Sequence, residues 1–78
     1  MNQQEIQHQL ELDYRTFNRN MEIAQTSELP LSRWGYGGAQ ECYKTFCGLI
    51  QKETVVGQES TISEMESALN SIEIGGEQ

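Results

Sequence analysis

The chain has 78 residues, 36% of them hydrophobic, and carries 12 acidic side chains against five Lys and Arg, for a net charge of −7 at pH 7. A chain this short predicts a single domain, residues 1–78, that buries only about 60% of the surface its unfolded form exposes. The negative charge disfavours direct binding to nucleic acid or to an anionic membrane. Residues 55–78 hold five acids and no base, which predicts an acidic surface in the C-terminal third.

Targeting and membrane motifs are not found in the sequence. Residues 1–26 lack the apolar core and cleavage site of a signal peptide, and no run approaches the ~18 apolar residues of a membrane-spanning helix. Two cysteines do not make a disulfide framework. We therefore expect a cytoplasmic protein with reduced thiols and no membrane partner.

Residues 3–26 have the clearest pattern in the chain. Apolar residues recur there every three or four positions, which predicts one long amphipathic helix. The stripe consists of Ile6, Leu10, Tyr14, Phe17, Met21 and Ala24. Asn2 and Glu5 have the spacing of an N-terminal capping box. Glu11 and Arg15 lie one turn apart in the order that favours an ion pair.

Residues 29–38 form a joint that holds the only Pro, the only Trp and three of the seven Gly. Pro30 ends the first helix because it disfavours the α conformation at the residue before it. The joint is too apolar for a solvated linker, so we expect Trp34 to face the core, with Arg33 and Tyr36 outside. The alternative places Trp34 in an interface, since Trp, Tyr and Arg are enriched at interface centres.

Two shorter helices are predicted after the joint, over residues 39–54 and 61–74, with a flexible tail over residues 75–78. The second follows the helical spacing of Ala39, Cys42, Tyr43, Phe46, Leu49 and Ile50. The third opens on a capping box formed by Thr61 and Glu64. The predicted fold is an all-α three-helix bundle, or a helical hairpin with a third helix packed across it.

Two glycine positions refine this prediction. Gly48 lies in the middle of the second helix at a cost of roughly 1 kcal/mol relative to Ala, which suggests a close neighbour at that point. The pair Gly75-Gly76 is typical of a helix C-terminus and predicts the end of the third helix.

The helix lengths predict where a partner binds. At ~1.5 Å per residue the three helices span roughly 36, 24 and 20 Å. If both short helices pack beside the C-terminal half of the first, its other end is left partly uncovered. That end bears Ile6, Leu10 and Leu12, and exposed apolar surface marks interfaces. We expect it to meet a protein partner or a second copy. The alternative is that staggered helices cover it fully.

Candidate catalytic and metal-binding residues are few. Cys42 and Cys47 point about 140° apart on a helix, so we expect buried thiols without a bridge. His8 is the only histidine and is expected on the surface, which leaves too few ligands for a zinc site. The run Trp34–Gly38 lacks the Gly-Lys-Ser/Thr ending of a phosphate loop. No metal, cofactor or catalytic residue is predicted.

The acids of the C-terminal third have a regular spacing. Glu59, Glu66 and Glu73 follow one another at heptad intervals and so line one edge of a helix. They either imitate a nucleic-acid backbone or form an ordinary solvated face.

The sequence therefore predicts a small, acidic, non-enzymatic protein that docks on a larger protein and inhibits or bridges it. A phage-encoded inhibitor of a host defence protein is the favoured example, by analogy of size and charge. The alternative is a helical chaperone or assembly subunit that forms a homo- or heterodimer through the stripe of the first helix. A third reading is a small-ligand binder that uses Arg33, Tyr36 and the glycine-rich joint.

Overall fold

The computed structural model describes residues 2–26 and 33–76, except for the side chains of residues 33–34 and 72–76. The described helices are α1, Gln3–Thr26, a π-helical turn, Arg33–Gly37, then α2, Gly38–Glu53, and α3, Glu59–Gly76. The predicted all-α fold with three helices is confirmed. Over the described residues no helix combines the length and the apolarity needed to cross a membrane.

α1 has the predicted bounds and the predicted cap. The Glu5 amide donates to Oδ1 of Asn2 at 2.8 Å, and the Asn2 side-chain amide donates back to the Glu5 carboxylate at 2.8 Å. The first N–H groups of a helix have no partner within it, so an Asn cap stabilises this end by about 1 kcal/mol. One turn further in, Arg15 Nη2 lies 2.6 Å from Glu11 Oε1, which confirms the predicted ion pair.

The joint is helical where it is described. Arg33–Gly37 forms a π-helical turn that continues directly into α2, and residues 29–32 lie outside the described part of the chain. Gly35 is buried, and a Cβ built on it would lie 2.7 Å from the Ala24 Cα. The turn therefore packs backbone against backbone at the C-terminal end of α1, which only a glycine permits.

This helical turn is the reason that the predicted uncovered end of α1 is wrong. The turn adds five residues to the 16 of α2, so 21 consecutive helical residues lie beside the 24 of α1. Gly35 meets Ala24 at one end of α1, and Val55 lies beside Ile6 at the other. Ile6 and Leu10 are consequently 9% and 3% exposed.

The core lies between the three helices. It confirms five of the six stripe positions of α1, while Tyr14 is half-buried against it. Leu12 and Ile23, which lie off the stripe, are 40% and 38% exposed. Among the described residues, the buried hydrophobic side chains are those of Ile6, Leu10, Phe17, Met21, Ala24, Ala39, Phe46, Met65 and Leu69.

α2 ends in a Schellman-type turn with an unusual residue at its left-handed position. Thr54 has φ 54° and ψ 48°, and the Val55 amide donates to the Ile50 carbonyl at 3.0 Å. Val55 and Ile50 both pack against the core, which is the apolar contact that accompanies this motif. Gly57, with φ 85°, completes the change of direction before α3.

α3 is longer than predicted at both ends. It begins at Glu59, and the Ile62 amide donates to the Gln58 carbonyl at 3.0 Å. Thr61 therefore lies inside the first turn, and the predicted capping box at Thr61 is wrong. Glu59 suits this earlier start because a carboxylate near a helix N-terminus is stabilised by the helix dipole.

The glycines near the end of the chain do not stop α3, which runs through Gly76. Glycine in a helix costs only about 1 kcal/mol, so it permits an end without imposing one. The predicted tail over residues 75–78 is thus wrong for its first two residues, and residues 77–78 lie outside the described part.

The close neighbour predicted at Gly48 is also wrong. A Cβ built on Gly48 would have nothing within 4 Å, and the residue is exposed. Gly48 lies on the outward side of α2, because Phe46 and Ile50 turn toward the core.

Candidate functional site

The first residues of α3 lie beside α1 at a point beyond the first turn of α1. Thr61 lies near Leu10, and one turn later the Tyr14 hydroxyl donates to the Glu64 carboxylate at 2.8 Å. The beginning of α1 therefore extends past the start of α3. That end lies against the α2–α3 connection, residues 54–58, instead of against a helix.

A shallow, open groove results at this end of the bundle, with a volume of about 340 Å³. Its floor contains Leu10 and Phe46, which are 3% and 1% exposed. Polar side chains form the rest, and the exposed amide of Gln7 stands on its rim. An apolar floor with a few polar groups around it is the usual composition of a binding site. We call it the α1–α3 groove and define it by Gln7, Leu10, Glu11, Tyr14, Phe46, Gln58 and Thr61.

A second cavity of about 210 Å³ continues the groove toward the N-terminus of α1. Gln7 borders both cavities, and Ile6 and Val55 line the second one. Val56, at its edge, is 81% exposed, more than Leu12 or any other large apolar side chain in the described residues. A single exposed apolar side chain is common on protein surfaces, so Val56 indicates an interaction surface only together with the cavity and groove beside it.

Of the partner-binding residues predicted on α1, two lie at the groove or its adjoining cavity and one lies elsewhere. Leu10 is part of its floor, and Ile6 lines the adjoining cavity, so neither forms the protruding apolar surface that was expected. Leu12 is exposed and borders a further hollow of about 210 Å³ on the other side of the Glu11–Arg15 ion pair.

The residues predicted on the joint lie at the opposite end of the bundle. Tyr36 is half-buried and packs against the core. The side chains of Arg33 and Trp34 lie outside the described part, so the choice between core and interface for Trp34 stays a prediction. The turn that holds them packs on Ala24, 14 residues or roughly 21 Å along α1 from Leu10. The predicted residues therefore do not form one surface.

Two acids of α3, Glu64 and Glu66, lie on its two flanks. Glu64 accepts the Tyr14 hydroxyl on the side of α1, and Glu66 faces the Tyr43 hydroxyl on the side of α2. Burial, and then the neighbouring Glu66 and Cys47, raise the pKa of Tyr43. Exposed residues between the flanks are small and uncharged: Ser60, Ser63, Ser67, Asn70 and Ser71.

Two of the three side chains of the predicted acidic edge lie in the described part of the structure. Glu59 and Glu66 are exposed, and the side chain of Glu73 lies outside the described part. Because Glu66 faces Tyr43, it contributes to the attachment of α3 as well as to the charge of the surface. Mimicry of a nucleic-acid backbone by these acids stays a prediction.

A polar cluster interrupts the seam between α1 and α2. Asn20 Nδ2 lies 3.9 Å from Cys42 Sγ, and Gln9 donates to Oδ1 of Asp13 at 3.1 Å. Asp13 Oδ2 is buried without a hydrogen-bond partner, and burial raises the pKa of this carboxyl. Asp13 and Asn20 are a heptad apart, and polar residues at such positions set the register of a helix pair. We assign this cluster a structural role.

The thiols and the histidine form no common site. Cys42 and Cys47 are free, as expected, but half-buried where burial was predicted, because each lies at a margin of α2. Burial raises the pKa of Cys42, with Asp13 and Glu41 adding to the effect. His8 is exposed. Among the described residues no group of three or more His, Cys, Asp or Glu is placed to hold a metal ion.

Three residues of the groove carry no mark in the sequence. Gln7, Gln58 and Thr61 are ordinary polar residues, and only the starting point of α3 beside α1 brings them together.

No protein family, curated protein or solved structure matches this chain.

Proposed function

We propose that this chain is a non-enzymatic binding protein that docks on a larger protein through the α1–α3 groove and inhibits or bridges it. The observation that supports this proposal is the open groove above Leu10 and Phe46, continued by the exposed Val56. A partner that inserts one apolar side chain between Gln7 and Gln58 packs directly on these two core residues. Buried anchors of this kind carry most of the binding energy in protein interfaces.

The charge around the groove indicates the chemistry of the partner. Glu11 lines the groove, and Glu59 and Glu64 are exposed on the first two turns of α3. The chain as a whole carries a net charge of −7. A basic surface around the inserted apolar side chain is therefore complementary to this end of the bundle, and opposite charges speed association.

The biological setting proposed for such a protein is that of a small acidic inhibitor, with a phage-encoded inhibitor of host defence as the favoured example. This part of the proposal rests on size and net charge alone. Direct blocking of a basic groove in the larger protein is the mechanism that the charge favours.

The burial of the α1 stripe favours this proposal over a chaperone or assembly subunit that dimerises through the stripe. Ile6 and Leu10 are covered within the same chain, so a dimer through them requires α2 or the connection to move. The small-ligand alternative requires a glycine-rich loop. Residues 33–37 are instead helical, and Gly35 is packed on Ala24.

The test is affinity capture from the native host with mass spectrometry, using variants that separate the groove from the rest of the surface. Gln7→Arg changes the exposed rim of the groove in both size and charge. Ser67→Arg makes the same change of charge on the outward face of α3 and is the matched control. Leu10→Asp is unsuitable as a binding control, because a charge at a side chain 3% exposed disrupts the core.

The expected result is a partner that wild type and Ser67→Arg capture and that Gln7→Arg does not. Circular dichroism confirms that each variant is helical before capture. Affinity for that partner falls steeply as salt rises, since screening weakens attraction between exposed charges. Equal capture by all three chains, or loss with Ser67→Arg alone, contradicts docking through the groove.

A further inference from the structure

We infer that α3 exchanges between two copies of this chain, so that the α3 of each copy packs on the α1–α2 hairpin of the other. The inference stands on the α2–α3 connection and on the contacts of α3. Exchange opens the connection that borders the groove and covers Val56, so the exchanged dimer is a different form of the chain from the one proposed to dock.

The connection holds its sharp turn with a residue unsuited to it. Thr54 has φ 54°, in the left-handed region where a side chain with a branched Cβ is a true outlier. The Schellman turn that it closes normally has glycine at this position. Thr54 is also exposed, so no packing of its own side chain holds it there. The closed turn is held by the Val55–Ile50 hydrogen bond and by the packing of Val55, and Thr54 bears the backbone strain of that turn. Such strain is grounds for a hypothesis of function.

Opening the connection releases this strain. When α2 and α3 point away from each other, Thr54 is free to take a helical or extended conformation. Short, strained hinges between packed elements are the usual starting point for exchange of an element between copies. The connection has only five residues, 54–58, and Val56 within it is 81% exposed. Crossing of two opened connections brings the two Val56 side chains together and covers this apolar surface.

The described contacts of α3, over residues 59–71, can be made equally well by a second copy. Met65 and Leu69, 0% and 7% exposed, pack on the hairpin. Tyr14 and Tyr43 of the hairpin meet Glu64 and Glu66 of α3 on either side of Met65. The closed monomer and the exchanged dimer therefore differ at the connection and little elsewhere. The strain at Thr54 shifts the balance toward the dimer.

Sedimentation equilibrium of the full chain over a wide concentration range tests this inference. We expect wild type to form a dimer as concentration rises. Thr54→Gly relieves the closed turn and penalises an opened helical one, so it raises the dimer dissociation constant about 100-fold, about tenfold for each of the two connections. Gly48→Ala is the matched control, because it stabilises α2 equally in both forms and leaves the dissociation constant unchanged.

A mixing experiment distinguishes exchange from an ordinary surface dimer. In a background of Cys42→Ser and Cys47→Ser, one chain carries Tyr14→Cys and the other Glu64→Cys. The hydroxyl and the carboxylate are 2.8 Å apart, but Cys is shorter than Tyr and Glu, so the two thiols are too far apart for a direct disulfide. A bifunctional maleimide with a span of about 10 Å bridges the length that the two substitutions remove, and it does so only where the α3 of one chain packs on the α1 of the other. We expect a crosslinked heterodimer. Replacing Glu64→Cys by Ser67→Cys, on the outward face, gives none.

Three results overturn the inference. A monomer at every concentration excludes the dimer. A dimer that Thr54→Gly leaves unchanged does not draw on strain at the connection. If circular dichroism confirms that the chains are folded and they dimerise without a crosslink between positions 14 and 64, the dimer uses another interface.

Discussion

The Tyr14 hydroxyl of α1 donates to the Glu64 carboxylate of α3 at 2.8 Å, across 50 positions of sequence. On the opposite flank of α3, Tyr43 of α2 faces Glu66. Met65, between these two glutamates, is fully buried in the core. Leu69, one turn later, is also buried, so α3 is fixed by two buried side chains and a tyrosine contact on each side. The start of α3, and with it the α1–α3 groove, depends on these contacts.

Tyr14→Phe tests this attachment. The ring stays while the hydroxyl is lost, so we expect the free energy of unfolding to fall by about 1 kcal/mol. This is less than the ~1.5–3 kcal/mol of a bond to a charged group, because the Glu64 carboxylate is exposed. Urea denaturation measures the change, and Glu64→Gln completes a double-mutant cycle. Two independent, additive losses in that cycle would show that the hydrogen bond contributes nothing to stability.

Gly35→Ala tests the close packing of the π-helical turn on α1. The added Cβ meets the Ala24 backbone at 2.7 Å, where no flexible side chain can move aside. We expect a loss of about 1–3 kcal/mol, as for other overpacked sites. Gly38→Ala is the matched comparison, because its Cβ meets only the Asn20 side chain, at 3.0 Å. Thermal melts should rank Gly38→Ala above Gly35→Ala, and the reverse order is incompatible with this packing.

Gly48→Ala is expected to stabilise the protein. Nothing lies within 4 Å of the added Cβ, so the change gains the helix propensity of Ala without a clash. The expected gain is about 1 kcal/mol, or roughly 4–8 °C in Tm for a domain of this size. A lower Tm would mean that a neighbour does pack on this side of α2.

The fold was largely predictable from the sequence because one strong periodic stripe dominates it. The stripe and the cap at Asn2 and Glu5 predict α1 with its bounds. The helical state of residues 33–37 was not predictable, since three glycines in ten residues favour a turn. Packing against Ala24 overrides that local preference. The error propagated, because the shortened second helix made the end of α1 with Ile6 and Leu10 look uncovered.

Asp13→Asn is expected to change how stability depends on pH. Burial raises the pKa of Asp13 in the folded protein above its ordinary value of 3.8, so the folded state holds the proton more tightly than the unfolded state does. Stability is therefore lost as pH rises from 3.8 through the raised pKa. The Asn variant, which stays uncharged, should melt higher than wild type at neutral pH.

Melting curves collected from acid to neutral pH check this sign. The gain of the Asn variant should vanish below pH 3.8, where Asp13 is uncharged in both states. Gln9→Ala serves as a comparison, because loss of its hydrogen bond to Asp13 should further penalise the ionised carboxylate. A gain that is the same at all pH values would assign the effect to packing and not to ionisation.

The candidate groove was beyond prediction from the sequence for a related reason. Its floor residue Leu10 belongs to the stripe, but Gln7, Gln58 and Thr61 become neighbours only through the position of α3 along α1. That position follows from contacts such as Tyr14–Glu64, which join residues far apart in sequence. The other predicted cluster, at Tyr36, lies at the far end of the bundle.

The most direct test of docking through the α1–α3 groove is amide hydrogen exchange of the chain with and without its captured partner. We expect the partner to slow exchange in residues 7–14 of α1 and in residues 54–61, which form the connection and the start of α3. Unchanged exchange there, with protection confined to residues 63–71 on α3 or to the π-helical turn, would contradict it.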